Sequence, residues 1–135
     1  MKGISYKKQG GYQLMEPYEL WIPIIPKANA VENDGYVNLS SGGYLYIAKG
    51  YAWDGPSGAM DTKNFMRASL VHDSLYQLFR QGKLPRSHRN EADILLREMC
   101  KADGMSSLRA WWVYKAVRLA GGPTSITPRP TIEAP

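Results

Sequence analysis

A histidine and an aspartate stand side by side in an otherwise apolar stretch, at His72 and Asp73 within residues 71–76. Neighbouring residues of a helix point about 100° apart, so these two side chains face different surroundings. A buried imidazole needs a partner that orients one of its nitrogens, and Asp93 on the next predicted helix can supply one. The other nitrogen would then accept a proton from water, which is general-base chemistry.

A glycine-rich segment, residues 50–58, precedes the helix that carries His72. Asp73 lies toward the flank of that helix and is expected to point at this segment. A carboxylate beside a turn with exposed carbonyls offers the oxygen ligands that calcium prefers. The pattern therefore predicts a candidate calcium site, and a cation there would polarise an ester carbonyl.

A structural role accounts for the same residues equally directly. A histidine held by an acid in the middle of a helix is often a satisfied core group rather than a base. Arginine partners for the two acids are also present in the sequence: Arg67, Arg80 and Arg89 for Asp73, and Arg97 for Asp93. Both interpretations stay open on sequence grounds.

Hydrophobic periodicity and turn signals predict the elements that must position these residues. Residues 12–52 are predicted to form a small antiparallel meander, with turns at 33–35 and 41–43 and an edge strand at 19–22 that prolines follow. Three helices come next, over about 61–80, 88–103 and 108–120. Asp61 or Thr62 is the predicted cap of the first helix, and Ser106 or Ser107 that of the third. The fold class is α+β, with the first two helices antiparallel.

Length and composition place the chain among ordinary globular proteins. Its 135 residues predict one domain over 1–123 and an extended proline-rich tail over 124–135. Cys100 is the single cysteine and sits in an apolar helical repeat, so we expect no intrachain disulfide and a core position for its thiol. No apolar run is long enough for a membrane span or a signal core, which favours folding in a reducing cytoplasm.

The sequence lacks the motifs of several functional classes. No Cys/His cluster has zinc spacing, and no glycine-rich loop is followed by Lys-Ser/Thr as phosphate binding requires. The net charge of +5 comes without a run of Lys or Arg, so a solvated basic surface is expected and nucleic acid is not an expected partner. Trp111 and Trp112 stand among basic residues and could touch lipid or nucleic acid, but a buried aromatic seam is favoured.

Four motifs together carry a resemblance to a known family. They are Asp-Gly-x-Ser at 54–57, His-Asp-x-Leu-Tyr at 72–76, Arg-x-x-Ala-Asp at 89–93 and Ala-Val-Arg-x-x-Gly at 116–121. This set, spanning about residues 45–121, resembles a family of small uncharacterised proteins of bacteriophages and prophages, described as a domain of unknown function. The resemblance implies a phage origin, synthesis in the bacterial host cytoplasm and no known activity.

The order of the site residues also resembles that of secreted phospholipases A2. Those enzymes have a glycine-rich calcium loop, a helical His-Asp-x-x-Tyr and an Asp from an antiparallel helix, although they depend on disulfides that this chain lacks. The resemblance implies His72 as the base, with Tyr76 and Asp93 as its orienting partners. It implies calcium as a cofactor, held by Asp73 and by the loop residues Trp53, Asp54 and Gly55.

Two functions of different classes follow. In one, the protein is a virion-associated accessory component of the phage tail or head that retains a phospholipase-A2-like His/Asp site. In the other, it is a calcium-dependent hydrolase of acyl esters in lipid or cell envelope. Expected partners are other phage structural proteins, further copies of this chain or a lipid surface.

Overall fold

The computed structural model describes residues 4–8, 11–53 and 63–120. Within them an N-terminal β region precedes a helical region, as predicted for an α+β fold. The strands are β1 Tyr6–Lys8, β2 Tyr12–Leu14, β3 Tyr18–Trp21, β4 Ala30–Val31, β5 Val37–Leu39, β6 Tyr44–Ile47 and β7 Ala52–Trp53. The helices are α1 Lys63–Arg80, α2 Arg89–Ala102 and α3 Ser107–Ala120, with a 3-10 turn at Arg86–His88 before α2.

The described strands form two antiparallel sheets rather than a single meander. One has the order β1-β2-β7 and the other the order β3-β6-β5-β4. In the second sheet β4, β5 and β6 are consecutive, and Gly35 and Gly43 in their turns have φ of +82° and +91°, which glycine adopts without strain. β3 lies at the edge of its sheet, as its following prolines predict. The structure also has a strand before residue 12, β1, which the sequence does not predict. Its three residues are too few to show an alternating pattern.

Both turns that follow α1 and α2 are built on glycine. Gly82 and Gly104 have φ of +70° and +103°. The residue after each glycine donates a hydrogen bond to a carbonyl in the last turns of the helix. Lys83 N donates to the Leu78 carbonyl at 2.8 Å, and Met105 N donates to the Cys100 carbonyl at 2.9 Å. These ends agree with the sequence prediction, whereas the predicted caps Asp61 and Thr62 and the tail 124–135 lie outside the described residues.

α1 is the central element, since nearly every residue from 65 to 79 is buried. Besides apolar contacts, hydrogen bonds attach the β region to it. The Trp53 indole donates to Ser69 Oγ at 3.1 Å, and the Tyr51 hydroxyl donates to Gln77 Oε1 at 3.0 Å. These hydrogen bonds hold β7 and the residue before it against α1.

An ion pair between the buried Arg67 and the half-buried Asp103 connects α1 with the turn between α2 and α3. The guanidinium of Arg67 donates from Nε and Nη2 to the two oxygens of Asp103, at 2.9 and 2.7 Å. Its Nη1 donates to the Tyr18 hydroxyl on β3 at 2.9 Å. Arg67 is 3% exposed, so three separate parts of the fold meet at one desolvated cation.

The third helix differs most from its prediction. α3 packs against α2 and buries Ala110 and Val113, but Trp111 and Trp112 are 43% and 61% exposed. The expected buried aromatic seam is therefore wrong, because the two indoles lie on the side of α3 that faces away from α2. In the part of the chain that the structure describes, no helix combines the length and apolar character needed to cross a bilayer.

Cys100 occupies the core position that its sequence context predicts. It is fully buried on α2. Burial, together with the negative charge of Asp103, raises the pKa of its thiol to about 12. The thiol is therefore protonated at neutral pH and packs as a small apolar group.

Replacing Arg67 tests whether its ion pair with Asp103 holds the fold together. Arg67→Ala leaves Asp103 without its bidentate partner, and we expect a loss of about 3 kcal/mol in the free energy of unfolding, measured by urea denaturation. Arg97→Ala is the control, because Arg97 pairs with an exposed carboxylate on Glu98 and should cost less than about 1 kcal/mol. Equal losses in the two variants would contradict the role assigned to Arg67.

Candidate functional site

His72 and Asp93 meet across the antiparallel pair of helices α1 and α2. His72 Nε2 lies 2.7 Å from Asp93 Oδ1, within hydrogen-bond distance. The Asp93 side chain is fully buried, whereas the His72 side chain is 10% exposed. The predicted juxtaposition of these two groups is therefore present, while their catalytic role stays a prediction.

Tyr76 lies one turn after His72 on the same face of α1. Its hydroxyl donates to the same oxygen, Asp93 Oδ1, at 2.7 Å. Its ring also contacts the imidazole, with centroids 4.2 Å apart and planes tilted by 33°. The imidazole is thus held both along its hydrogen bond to Asp93 and across its flat face.

The second oxygen of Asp93 faces α3, which is a contact that the sequence prediction missed. Arg118 Nη1 donates to Asp93 Oδ2 at 2.8 Å. Arg89 approaches the same oxygen with Nε at 3.9 Å and donates from Nη2 to the Arg118 carbonyl at 3.5 Å. The Asp93 carboxylate therefore contacts side chains from all three helices.

The expected ion pair between Asp93 and Arg97 is wrong. Arg97 pairs instead with Glu98 at 3.0 Å, and its guanidinium lies over the Tyr114 ring at 4.9 Å from the centroid. Spacing of four residues within α2 favours Arg97 as a partner, but Asp93 points into the core and Arg97 points outward. The sequence contains Arg118 within the Ala-Val-Arg-x-x-Gly motif, which marks this arginine without indicating its partner.

The surroundings of Asp93 keep it ionised. Burial alone disfavours the charged carboxylate, but hydrogen bonds from His72 and Tyr76, together with Arg118, outweigh that effect and lower its pKa. Burial and the hydrogen bond to Asp93 raise the pKa of the Tyr76 hydroxyl, so the phenol stays protonated as the donor. An ionised carboxylate only accepts hydrogen bonds, so the imidazole nitrogen facing it must carry a proton.

If the proton of a neutral ring lies on Nε2, His72 Nδ1 is its acceptor nitrogen. Among the described residues, the imidazole has no hydrogen bond besides that of Nε2 to Asp93. The His72 side chain as a whole keeps 10% exposure, whereas the Asp93 side chain that holds Nε2 has none. The geometry and the tautomer both suit proton acceptance at Nδ1.

The candidate calcium ligands are described only in part. Asp73 is half-buried on α1 beside His72, and Trp53 ends β7 with its indole on Ser69. Asp54 and Gly55 lie outside the described residues. Among the residues that the structure does describe, no group of three or more His, Cys, Asp or Glu could hold a metal ion.

Comparison with known proteins gives one match. Residues 59–117 match the model of the DUF1353 family, which is described as protein of unknown function. The matched segment includes His72, Tyr76 and Asp93 and ends one residue before Arg118. No curated protein and no solved structure matches the chain. The match agrees with the expected domain of unknown function and assigns no chemistry to it.

The ionised state of Asp93 has a measurable consequence for acid unfolding. Because folding lowers its pKa below the ordinary value of 3.8, the unfolded chain binds this proton first as the pH falls. The stability from Asp93 is therefore fully present above about pH 4 and is lost as the pH drops through the lower, folded-state pKa. We expect Asp93→Asn to unfold more easily at neutral pH, by about 3 kcal/mol, and to lack this acid-dependent component.

Urea titrations of the wild type and the variant between pH 2.5 and pH 7 measure both effects, with pH steps of about half a unit around the ordinary aspartate pKa. Asp34→Asn is the matched control, because Asp34 is exposed in the turn between β4 and β5. Identical acid profiles for Asp93→Asn and the wild type would contradict an ionised Asp93.

Proposed function

We propose that the protein is a small hydrolase in which His72 activates water for attack on an acyl ester. The observation that supports this proposal is the setting of the imidazole: Nε2 lies 2.7 Å from a buried carboxylate whose pKa is lowered, and Nδ1 has no hydrogen bond to the described residues. This arrangement suits a general base, since the carboxylate fixes the tautomer and stabilises the imidazolium that forms.

In the proposed reaction, Nδ1 takes a proton from water while the water oxygen forms a bond to the ester carbonyl carbon. The resulting tetrahedral intermediate then collapses, and the bond to the alcohol oxygen breaks. The imidazolium returns its proton to that oxygen, so the products are a carboxylic acid and an alcohol, and His72 is regenerated.

The other members of the network act as positioning residues. Asp93 orients His72, and Tyr76 and Arg118 hold the carboxylate of Asp93 from two directions. Since none of the three exposes a reactive atom to a substrate in this proposal, their replacement should reduce activity through a misplaced or wrongly protonated imidazole.

A calcium ion is an additional part of the proposal. Asp73 would supply a carboxylate oxygen to it, and further oxygens would come from Trp53, the last residue of β7, and from Asp54 and Gly55. Bound there, a hard cation would polarise the ester carbonyl next to His72. The indole of Trp53 donates to Ser69, so the described end of β7 lies against α1, the helix that carries Asp73.

A phage-particle component is the second candidate, with the His72–Asp93 network as a structural lock. The observation that favours the structural role of the network is that the Asp93 carboxylate accepts hydrogen bonds on both oxygens, from α1 and α3, and is fully buried. In this case the chain would be found by mass spectrometry in purified particles of the tail or head. The two candidates differ in what a change at His72 does.

His72→Gln separates catalysis from stability, because glutamine keeps a donor for Asp93 but provides no basic nitrogen. We expect the rate of hydrolysis of a soluble short-chain acyl ester to fall about 100-fold or more, with Tm nearly unchanged. His88→Gln is the control, since the other histidine of the chain lies just before α2 and its Nδ1 pairs with Glu91. Undiminished hydrolysis in His72→Gln would overturn the enzyme proposal, and a large fall in Tm would favour the lock.

Calcium binding is tested separately by isothermal titration calorimetry of the whole chain. We expect a saturable heat with the wild type that is lost in Asp73→Asn, because the amide oxygen carries no charge. Asp34→Asn should bind calcium like the wild type. Full activity in the presence of a chelator, together with no heat of binding, would remove calcium from the mechanism and leave the role of His72 in place.

A further inference from the structure

We propose that α3 binds the surface of an anionic lipid bilayer through its solvent-facing side. The leucine and tryptophan side chains of this helix lie outside the core. Exposure reaches 69% at Leu108, 61% at Trp112 and 83% at Leu119, with Trp111 at 43%. Exposed apolar patches of this kind mark interaction sites rather than ordinary surface.

The exposed side chains share one continuous face of α3. Leu108, Trp111, Trp112, Lys115 and Leu119 are three or four residues apart along the helix, so they line the same side. The two indoles pack edge to face, with centroids 5.1 Å apart. We call these five residues the outer face of α3. It has the composition of a helix that lies in the plane of a membrane interface.

The charge of α3 indicates which kind of partner would bind its outer face. α3 carries three cations, Arg109, Lys115 and Arg118, and no acidic residue. Lys115 lies within the outer face, with Nζ 5.8 Å from the centroid of the Trp111 ring. Arg109 and Arg118 lie at its two edges, at helical positions about 100° and 80° away from Leu108. A surface that carries negative charge above an apolar layer is complementary to this arrangement.

A second copy of the chain is a poorer occupant for the same reason. Two outer faces in contact would bring the Lys115 ammonium groups of both copies together, and no carboxylate on α3 would offset their repulsion. Indole rings, in contrast, are stabilised at the boundary between lipid headgroups and acyl chains, where one edge is apolar and the N–H is hydrated. The anionic bilayer therefore satisfies both the apolar and the basic parts of the face.

The inference is independent of the hydrolase proposal, although a membrane surface would bring an ester substrate to the protein. Arg118 connects the two regions, since it lies at an edge of the outer face and donates to Asp93. Because binding and hydrolysis can be measured separately, failure of one does not imply failure of the other. His72→Gln should bind vesicles like the wild type, and outer-face variants should still hydrolyse a soluble ester.

Vesicle co-sedimentation with the full chain tests the proposal, using phosphatidylglycerol mixed with phosphatidylcholine and, separately, phosphatidylcholine alone. We expect binding to the anionic vesicles with a blue shift of tryptophan emission, and weaker binding as salt is added. The double variant Trp112→Ser/Leu119→Ser should bind about tenfold more weakly. Lys115→Glu should weaken binding to anionic vesicles about fivefold or more.

Matched controls come from other surfaces of the protein. Trp21→Ser removes a tryptophan that is 71% exposed on β3, and it should leave vesicle binding unchanged. Lys27→Glu makes the same charge change as Lys115→Glu at an exposed position before β4. All three substituted outer-face positions, Trp112, Lys115 and Leu119, are exposed, so the variants should fold, and Tm measurements check that they do.

Three outcomes would overturn the proposal. The first is no binding of the folded wild type to anionic vesicles, which would assign the outer face to a protein partner. The second is equal loss of binding in the Trp21→Ser control and the outer-face double variant. The third is a dimer of the wild type, seen by light scattering, that becomes a monomer in Trp112→Ser/Leu119→Ser, because the face would then be covered by a second copy.

Discussion

The carboxylate of Asp93 is the group on which the helical region depends. A fully buried charge is unfavourable unless donors replace the water that it has lost. Here those donors come from His72 and Tyr76 on α1 and from Arg118 on α3, while Asp93 itself belongs to α2. The positions of the three helices are therefore mutually constrained, since moving any one of them removes a donor from a charge that cannot reach solvent.

The same constraint determines the chemistry available at His72. An imidazole that faces an ionised carboxylate has only one tautomer in its neutral state, and its outward nitrogen is then an acceptor. The contact of the Tyr76 ring fixes the plane in which that nitrogen points. Structural support and chemical polarity come from the same four side chains, which explains why a hydrolase and a structural lock both fit the site. Kinetic and stability measurements distinguish the two because they respond to different properties of the imidazole.

Periodicity and turn chemistry account for most of the fold. The helix ends at Gly82 and Gly104, the strand order β4-β5-β6 and the pairing of α1 with α2 are local or nearly local properties, and the sequence predicts them. It predicts neither the division into two sheets nor the partner of Asp93, because both depend on contacts between distant segments. It also places the indoles of α3 in the core, since an apolar stripe looks the same whether it faces the protein or an external surface.

The position of the chain's single thiol has a practical consequence. Cys100 is fully buried and its pKa is raised to about 12, so a thiol-specific reagent meets neither an accessible nor an ionised sulfur in the folded protein. Modification must wait until α2 separates from its neighbours. The rate of labelling at this sulfur therefore measures how often the helical region unfolds enough to expose Cys100, without any introduced probe.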